Sequence, residues 1–211
     1  MDLVKNLVVE ITAFLERKAK TRSELKITSQ LRLIALEKKN YFPKKAGVVP
    51  KNESLQKAIS SMKDRSLFKI KNCICACSGE LNWKVDDDLF YENDSGIGKQ
   101  YLNGNMHVEL IGPKDGLFKF NDFRLGLFLL EPYVFYKDHK HEAPELYLNL
   151  TKGTRWRFEG KAWEKSKSGS IIYNEPYKVH AMKVSHTPFL AVWCWPKASL
   201  KKCLVVSERA F

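Results

Sequence analysis

The apolar positions change their period once along the chain. In the first third they recur three and four apart, at Leu3, Leu7, Ile11, Phe14 and Leu15, then at Leu25, Ile27, Leu31, Leu33, Ile34 and Leu36. That spacing gathers apolar side chains on one face of a helix. It predicts a first helix over 2–19 with Asp2 as its N-cap, and a second over 23–39 that Tyr41-Phe42-Pro43 breaks, since proline cannot continue a helix. A loop at 47–50 then leads into a shorter third helix over 53–64. The apolar stripes of these helices need a cover, which either the rest of the chain or a second copy can supply.

From Phe68 onward the runs are short and rich in β-branched and aromatic residues. Turn clusters separate them, among them Gly112-Pro113, Lys152-Gly153, Glu159-Gly160, Ser168-Gly169 and Thr187-Pro188. Strands are expected near 73–77, 106–111, 117–120, 125–130, 134–141, 145–150, 154–158, 162–165, 171–173, 178–184, 189–195 and 203–207. So many short strands around one core make a mainly β jelly-roll barrel over 67–211, carrying an N-terminal helical segment over 1–66.

Composition narrows the partners. A chain of 211 residues with 44% hydrophobic and 28% charged residues is an ordinary globular protein with room for one barrel and a small appendage. Its net charge of +12 comes mostly from scattered lysines, with no basic, aromatic-interleaved motif, so no nucleic-acid partner is expected. Lys5, Glu10 and Glu16 interrupt the apolar N-terminus, which lacks a small-residue cleavage site, and no run approaches the length needed to cross a bilayer. The expected setting is cytoplasmic, without a membrane partner, as a monomer or homodimer.

The five cysteines are an odd number, three of them packed as Cys73, Cys75 and Cys77, with Cys194 and Cys203 far off. This is not a disulfide framework, and in a half-buried strand the Cys-x-Cys-x-Cys run places small thiols on one face. Asp86-Asp87-Asp88 and the 92–99 segment, with Gly96 and Gly98, match neither a calcium loop nor a phosphate loop and read as polar loops.

The chemistry concentrates in 136–147. His139 and His141 are one residue apart, so on a strand both side chains aim at one ion. A straight strand would carry Glu145 roughly 20 Å past His139 at about 3.3 Å per residue, so the chain must double back. Ala143-Pro144 is a suitable place. Glu145 then opens the antiparallel partner strand, with Tyr147 on the same face two residues on. A fourth ligand must come from elsewhere, and His180, in another strand-like run, is the best candidate.

A barrel carrying His-x-His-x-x-x-Glu and a single histidine about forty residues later resembles the cupin superfamily, which implies a cupin jelly-roll barrel with a metal inside it. The run 124–130, then Tyr136, His139, His141, Glu145 and Tyr147, then His180-Ala181-Met182, then Trp193 and Trp195, is similar to the cupin-type dimethylsulfoniopropionate (DMSP) lyases. The resemblance implies cleavage of DMSP to dimethyl sulfide and acrylate. It implies one divalent transition metal, Fe(II), Mn(II), Co(II), Ni(II) or Zn(II), on His139, His141, Glu145 and His180. It makes Tyr147 the base, Tyr136 the second active-site tyrosine and Trp195 a wall of the substrate pocket.

The chemistry is consistent with those assignments. Tyrosine, with an ordinary pKa of about 10, is a base at neutral pH only beside a cation. A sulfonium is a soft cation suited to aromatic faces, which Tyr136, Tyr147, Trp193 and Trp195 offer. Core packing competes with substrate contact for Trp193, and support of a histidine ligand competes for Tyr136. Other expectations on the same site are a cupin isomerase or dioxygenase acting on another small carboxylate, and a non-catalytic binding cupin.

Overall fold

The computed structural model describes residues 1–45, 47–86, 90–92, 94–197, 199 and 201–206. The helices are α1 (Asp2–Lys18), α2 (Arg22–Arg32), α3 (Asn52–Ser61), α4 (Phe68–Cys77) and α5 (Lys99–Gly104). The strands are β1 (Asn105–Gly112), β2 (Phe118–Lys119), β3 (Arg124–Leu130), β4 (Phe135–Lys140), β5 (Glu145–Asn149), β6 (Arg155–Phe158), β7 (Glu164–Lys165), β8 (Ile171–Asn174), β9 (His180–Lys183), β10 (Phe189–Trp195) and β11 (Leu204–Val205). They form two sheets, β2-β1-β3-β10-β5-β8 and β11-β4-β9-β6-β7. The expected mainly β barrel with N-terminal helices is the observed architecture.

The six-stranded sheet is covered on both sides, which explains why its central strands read as unbroken apolar runs. Side chains alternate across a strand. Leu125, Leu127 and Leu129 of β3, Leu190, Val192 and Cys194 of β10, and Leu146 and Leu148 of β5 therefore turn outward. There they share one core with Val4, Leu7, Ile11 and Phe14 of α1 and with Ile70 and Ile74 of α4. The intervening residues Phe128, Ala191, Trp193, Trp195 and Tyr147 turn inward and meet Tyr136 and Met182 of the other sheet in a second core. The barrel itself thus covers the helical stripes.

Several expectations need correction. Residues 73–77 are helical, the end of α4, because burial there follows Ile70, Ile74 and Cys77 at helical spacing while Cys75 is exposed. The alternation of the cysteines coincides with a strand period without producing one. α2 stops at Arg32 rather than near 39: Leu33 N and Ile34 N bond back to Gln30 O and Leu31 O, a tight final turn, and Leu33 is 78% exposed. Its cap is Thr21, in a reciprocal capping box with Glu24, whereas Asp2 lies inside the first turn of α1 behind Met1. Helix α5 lies, apart from Lys99, in a stretch to which no element was assigned. Within the polar-loop readings Asp87, Asp88 and Asn93 fall outside the described residues, and so does Ser207 of the last strand. Asp86, read as part of a solvated loop, is buried.

One glycine is required by the inner face. A Cβ on Gly126 would lie 2.2 Å from Val108 O and 2.7 Å from Trp193 Nε1, so the indole and the neighbouring strand occupy the space a side chain needs. Gly126→Ala should cost about 1–3 kcal/mol, seen as a lowered midpoint in thermal or urea denaturation. A parent-like midpoint would mean that both the β1 backbone at Val108 and the Trp193 indole give way freely.

Candidate metal centre

Strand β4 delivers His139 to the barrel interior, and His141 follows just beyond its end. Glu145 does not open a hairpin partner of β4, as the spacing suggested. β4 pairs with β9 and β11, whereas β5 pairs with β10 and β8 in the facing sheet. The 141–144 corner therefore carries the chain from one sheet to the other, and Glu145 faces the histidines across the interior. His180 opens β9 directly opposite His139 in the register. The sequence-predicted ligands are thus brought together, and all four are buried.

Their hydrogen bonds hold the imidazoles in a form that could bind a metal. His139 Nδ1 lies 2.7 Å from Lys137 O, His141 Nδ1 2.7 Å from Ala143 O, and His180 Nδ1 2.9 Å from Lys178 O. A carbonyl only accepts, so each Nδ1 carries a hydrogen; in the neutral ring that leaves Nε2 as the nitrogen with a lone pair, turned inward, the tautomer in which metal-binding histidines are held. One ligand atom from each of the three imidazoles can be chosen so that all lie within 4.8 Å of one another.

Glu145 completes the set. Its Oε1 accepts from Trp195 Nε1 at 2.9 Å and its Oε2 from Asn174 Nδ2 at 3.0 Å, so both oxygens are fixed. Oε2 stands 3.2 Å from His141 Nε2 and 3.8 Å from His180 Nε2. With Nδ1 protonated, these nitrogens and the carboxylate are all acceptors, a buried cluster of lone pairs that calls for a proton or a cation between them. His180 Nε2 has no hydrogen-bond partner among the described residues. The donor set fits a divalent transition metal.

The titration behaviour agrees with this. Burial, with the nearby His141, holds the His139 imidazole down to about 3. Burial, then His139 and His141, hold His180 well below the ordinary histidine value. At neutral pH both are neutral, as ligands must be. Of the three, His141 is raised: burial pulls it down, but the charge of Glu145, the hydrogen bond to Glu145 and the bond to Ala143 O together outweigh burial.

Around the ligands lies a small cavity lined by Phe128, Tyr136, Tyr147, Trp193 and Trp195, together with Phe90, Tyr101, His107 and Cys203. Tyr147 shares the inward face of β5 with Glu145. Burial, then Glu145, hold its phenol well above the ordinary tyrosine value. Tyr136 stacks on the His139 ring with centroids 4.1 Å apart. Trp193 and Trp195 line the cavity, and they also face the Arg124 guanidinium at 5.5 and 5.4 Å, alongside Phe90 at 5.1 Å. Arg124 in turn bonds buried Glu109 at 2.6 Å. Two of the four rings expected to receive a substrate cation, Trp193 and Trp195, therefore already face one from the protein itself.

Asn174, Phe90, Tyr91, Tyr101 and Glu109 escaped the sequence reading, as did the pairing of Glu109 with Arg124, which entered only as the first residue of the 124–130 run. No local motif marks them. Asn174 becomes visible only once β8 is in register with β5, where it stands opposite Glu145.

The family model for dimethylsulfoniopropionate lyases matches residues 19–191 of the chain. A chain from the crystal structures of the DMSP lyases RdDddP and RnDddQII superposes with a TM-score of 0.71 at 17% identity, over 98% of each chain. The DMSP lyase DddQ from Ruegeria pomeroyi DSS-3 superposes with a TM-score of 0.67 at 18% identity, over 97% of this chain and 96% of that one. No curated protein matches the sequence. Among the described residues no helix is long and apolar enough to cross a membrane.

Proposed function

The chain belongs to the DMSP lyase family, and from that premise we propose that it is a metal-dependent DMSP lyase with Tyr147 as its base. The observation that carries this reading is a buried set of three inward-facing imidazole nitrogens and a carboxylate, with a phenol two residues from that carboxylate on the same strand face. His139, His141, His180 and Glu145 would hold the ion. Bound there, a divalent cation supplies positive charge that draws the substrate carboxylate and lowers the proton affinity of a neighbouring phenol.

The residues then divide the work of a β-elimination. Tyr147 Oη takes the proton from the carbon next to the substrate carboxylate. The electron pair of that C–H bond becomes the double bond of acrylate, while the adjacent C–S bond breaks and its pair leaves on sulfur as neutral dimethyl sulfide. Tyr147 returns the proton to water before the next turnover. Phe128, Tyr136, Tyr147, Trp193 and Trp195 offer aromatic faces to the sulfonium, which has no hydrogen-bond donor of its own. Trp195 and Asn174 keep Glu145 from rotating.

The test is headspace detection of dimethyl sulfide from protein loaded with Fe(II), Mn(II), Co(II), Ni(II) or Zn(II) in turn. Equimolar acrylate and dimethyl sulfide are expected, and chelation should abolish both. Silence on DMSP with every metal, beside turnover of another small carboxylate, would reject the substrate assignment.

A further inference from the structure

Behind the ligands lies a second group of buried side chains that the reaction does not use: Asp86, Tyr91, Tyr101 and Asn105, each at most 2% exposed. Tyr101, on α5, donates its hydroxyl proton to Asp86 Oδ2 at 2.7 Å. Asn105 ties the two into one unit. Its side-chain oxygen accepts from Asp86 N at 2.7 Å, and its amide donates to the carbonyls of Asp86 and Tyr101 at 3.1 and 2.9 Å. The ring fixed in this way lies nearly parallel to Tyr136, with centroids 4.2 Å apart and planes 19° from parallel. Tyr136 covers His139 in turn at 4.1 Å and 18°. A 2.6 Å bond between the Tyr91 and Tyr136 hydroxyls pins the middle ring at its polar end.

His139 is the imidazole on which a tyrosine ring lies flat. Like His180 it has one hydrogen bond to a carbonyl, to Lys137 O, which limits rotation about Cβ–Cγ without locking it. His180 meets it only at an angle of 61°. A ring stacked flat on it resists that rotation, provided the stack is anchored at its far side.

We propose that Tyr101, locked by Asp86, is a positioning residue for the metal centre: through Tyr136 it holds the His139 imidazole at the tilt that aims Nε2 toward His141 and His180. This rests on the metal reading above.

The experiment measures metal affinity by competition with a chromophoric chelator, and the visible ligand-field bands of the Co(II)-loaded chain, neither of which depends on turnover. Tyr101→Leu removes the outer plate and should weaken affinity about 10–100-fold and shift the Co(II) bands. Tyr101→Phe keeps the plate but loses its anchor, so its affinity should fall between parent and Tyr101→Leu. Parent affinity and parent Co(II) bands in both variants would overturn the proposal. If Tyr101→Leu does not fold, those same two readings on Tyr101→Phe alone decide. A parent chain that takes up no divalent metal would overturn the metal reading itself, and that result is visible before any variant is made.

Discussion

Tyr147→Phe is expected to lower DMSP cleavage by about 10²–10⁴-fold, the range for loss of a positioned general base, while leaving metal content and KM close to parent. The substitution removes one oxygen and keeps the ring, which packs 5.1 Å from Trp156 and 6.2 Å from Phe189, so the cavity wall survives. None of the four proposed ligands is altered. The loss should therefore appear in kcat, with metal uptake serving as the control for intact geometry. Without a cation, burial and the charge of Glu145 hold this phenol firmly protonated, so its service as a base depends on positive charge at the histidines. A Tyr147→Phe enzyme with parent kcat would remove Tyr147 from the reaction and direct attention to Tyr136. Tyr136 lines the same cavity but is engaged by Tyr91.

The barrel was legible because its strands alternate, and because the unbroken runs of β3 and β10 are what a sheet covered on both faces looks like. The residues of the proposed metal site stood out for a different reason. Two histidines one apart, followed by a carboxylate, survive as a motif whatever the strands pair with. What could not be read was pairing. Nothing local in 139–147 says that β4 and β5 lie in different sheets, and the reading of a hairpin put Glu145 beside the histidines rather than across from them. α4 was lost to a coincidence: its cysteines repeat every second residue while the residues that bury it repeat every third or fourth. Tyr91, Tyr101 and Asp86 carry no spacing signal, because they reach the site through contacts with β4 and β1 distant in sequence. Trp193 and Trp195 were recognised as neighbours on one face, but their resident cation, Arg124, comes from the paired strand β3 and could not be seen from theirs.

The second large effect concerns stability. Saturating divalent metal should raise the melting midpoint of the chelator-treated chain by about 5–10 °C. A ligand that binds only the folded state at 100 times its Kd contributes about 2.7 kcal/mol, and each kcal/mol moves the midpoint of a chain this size by about 2–4 °C. His180→Leu should erase that increment. The same variant makes a more discriminating test in the metal-free state. There the parent buries His180 Nε2 with no hydrogen-bond partner among the described residues and crowds it against Glu145 at 3.8 Å, an arrangement that costs free energy when no cation fills it. An apolar side chain of similar volume removes that penalty. Metal-free His180→Leu is therefore expected to melt at or above the metal-free parent, while the loaded parent melts above both. Differential scanning calorimetry with and without Mn(II) or Zn(II) separates the four states. If metal-free His180→Leu melts well below the metal-free parent, the imidazole is there to hold the fold, and the lone pairs around Glu145 are satisfied by protons alone.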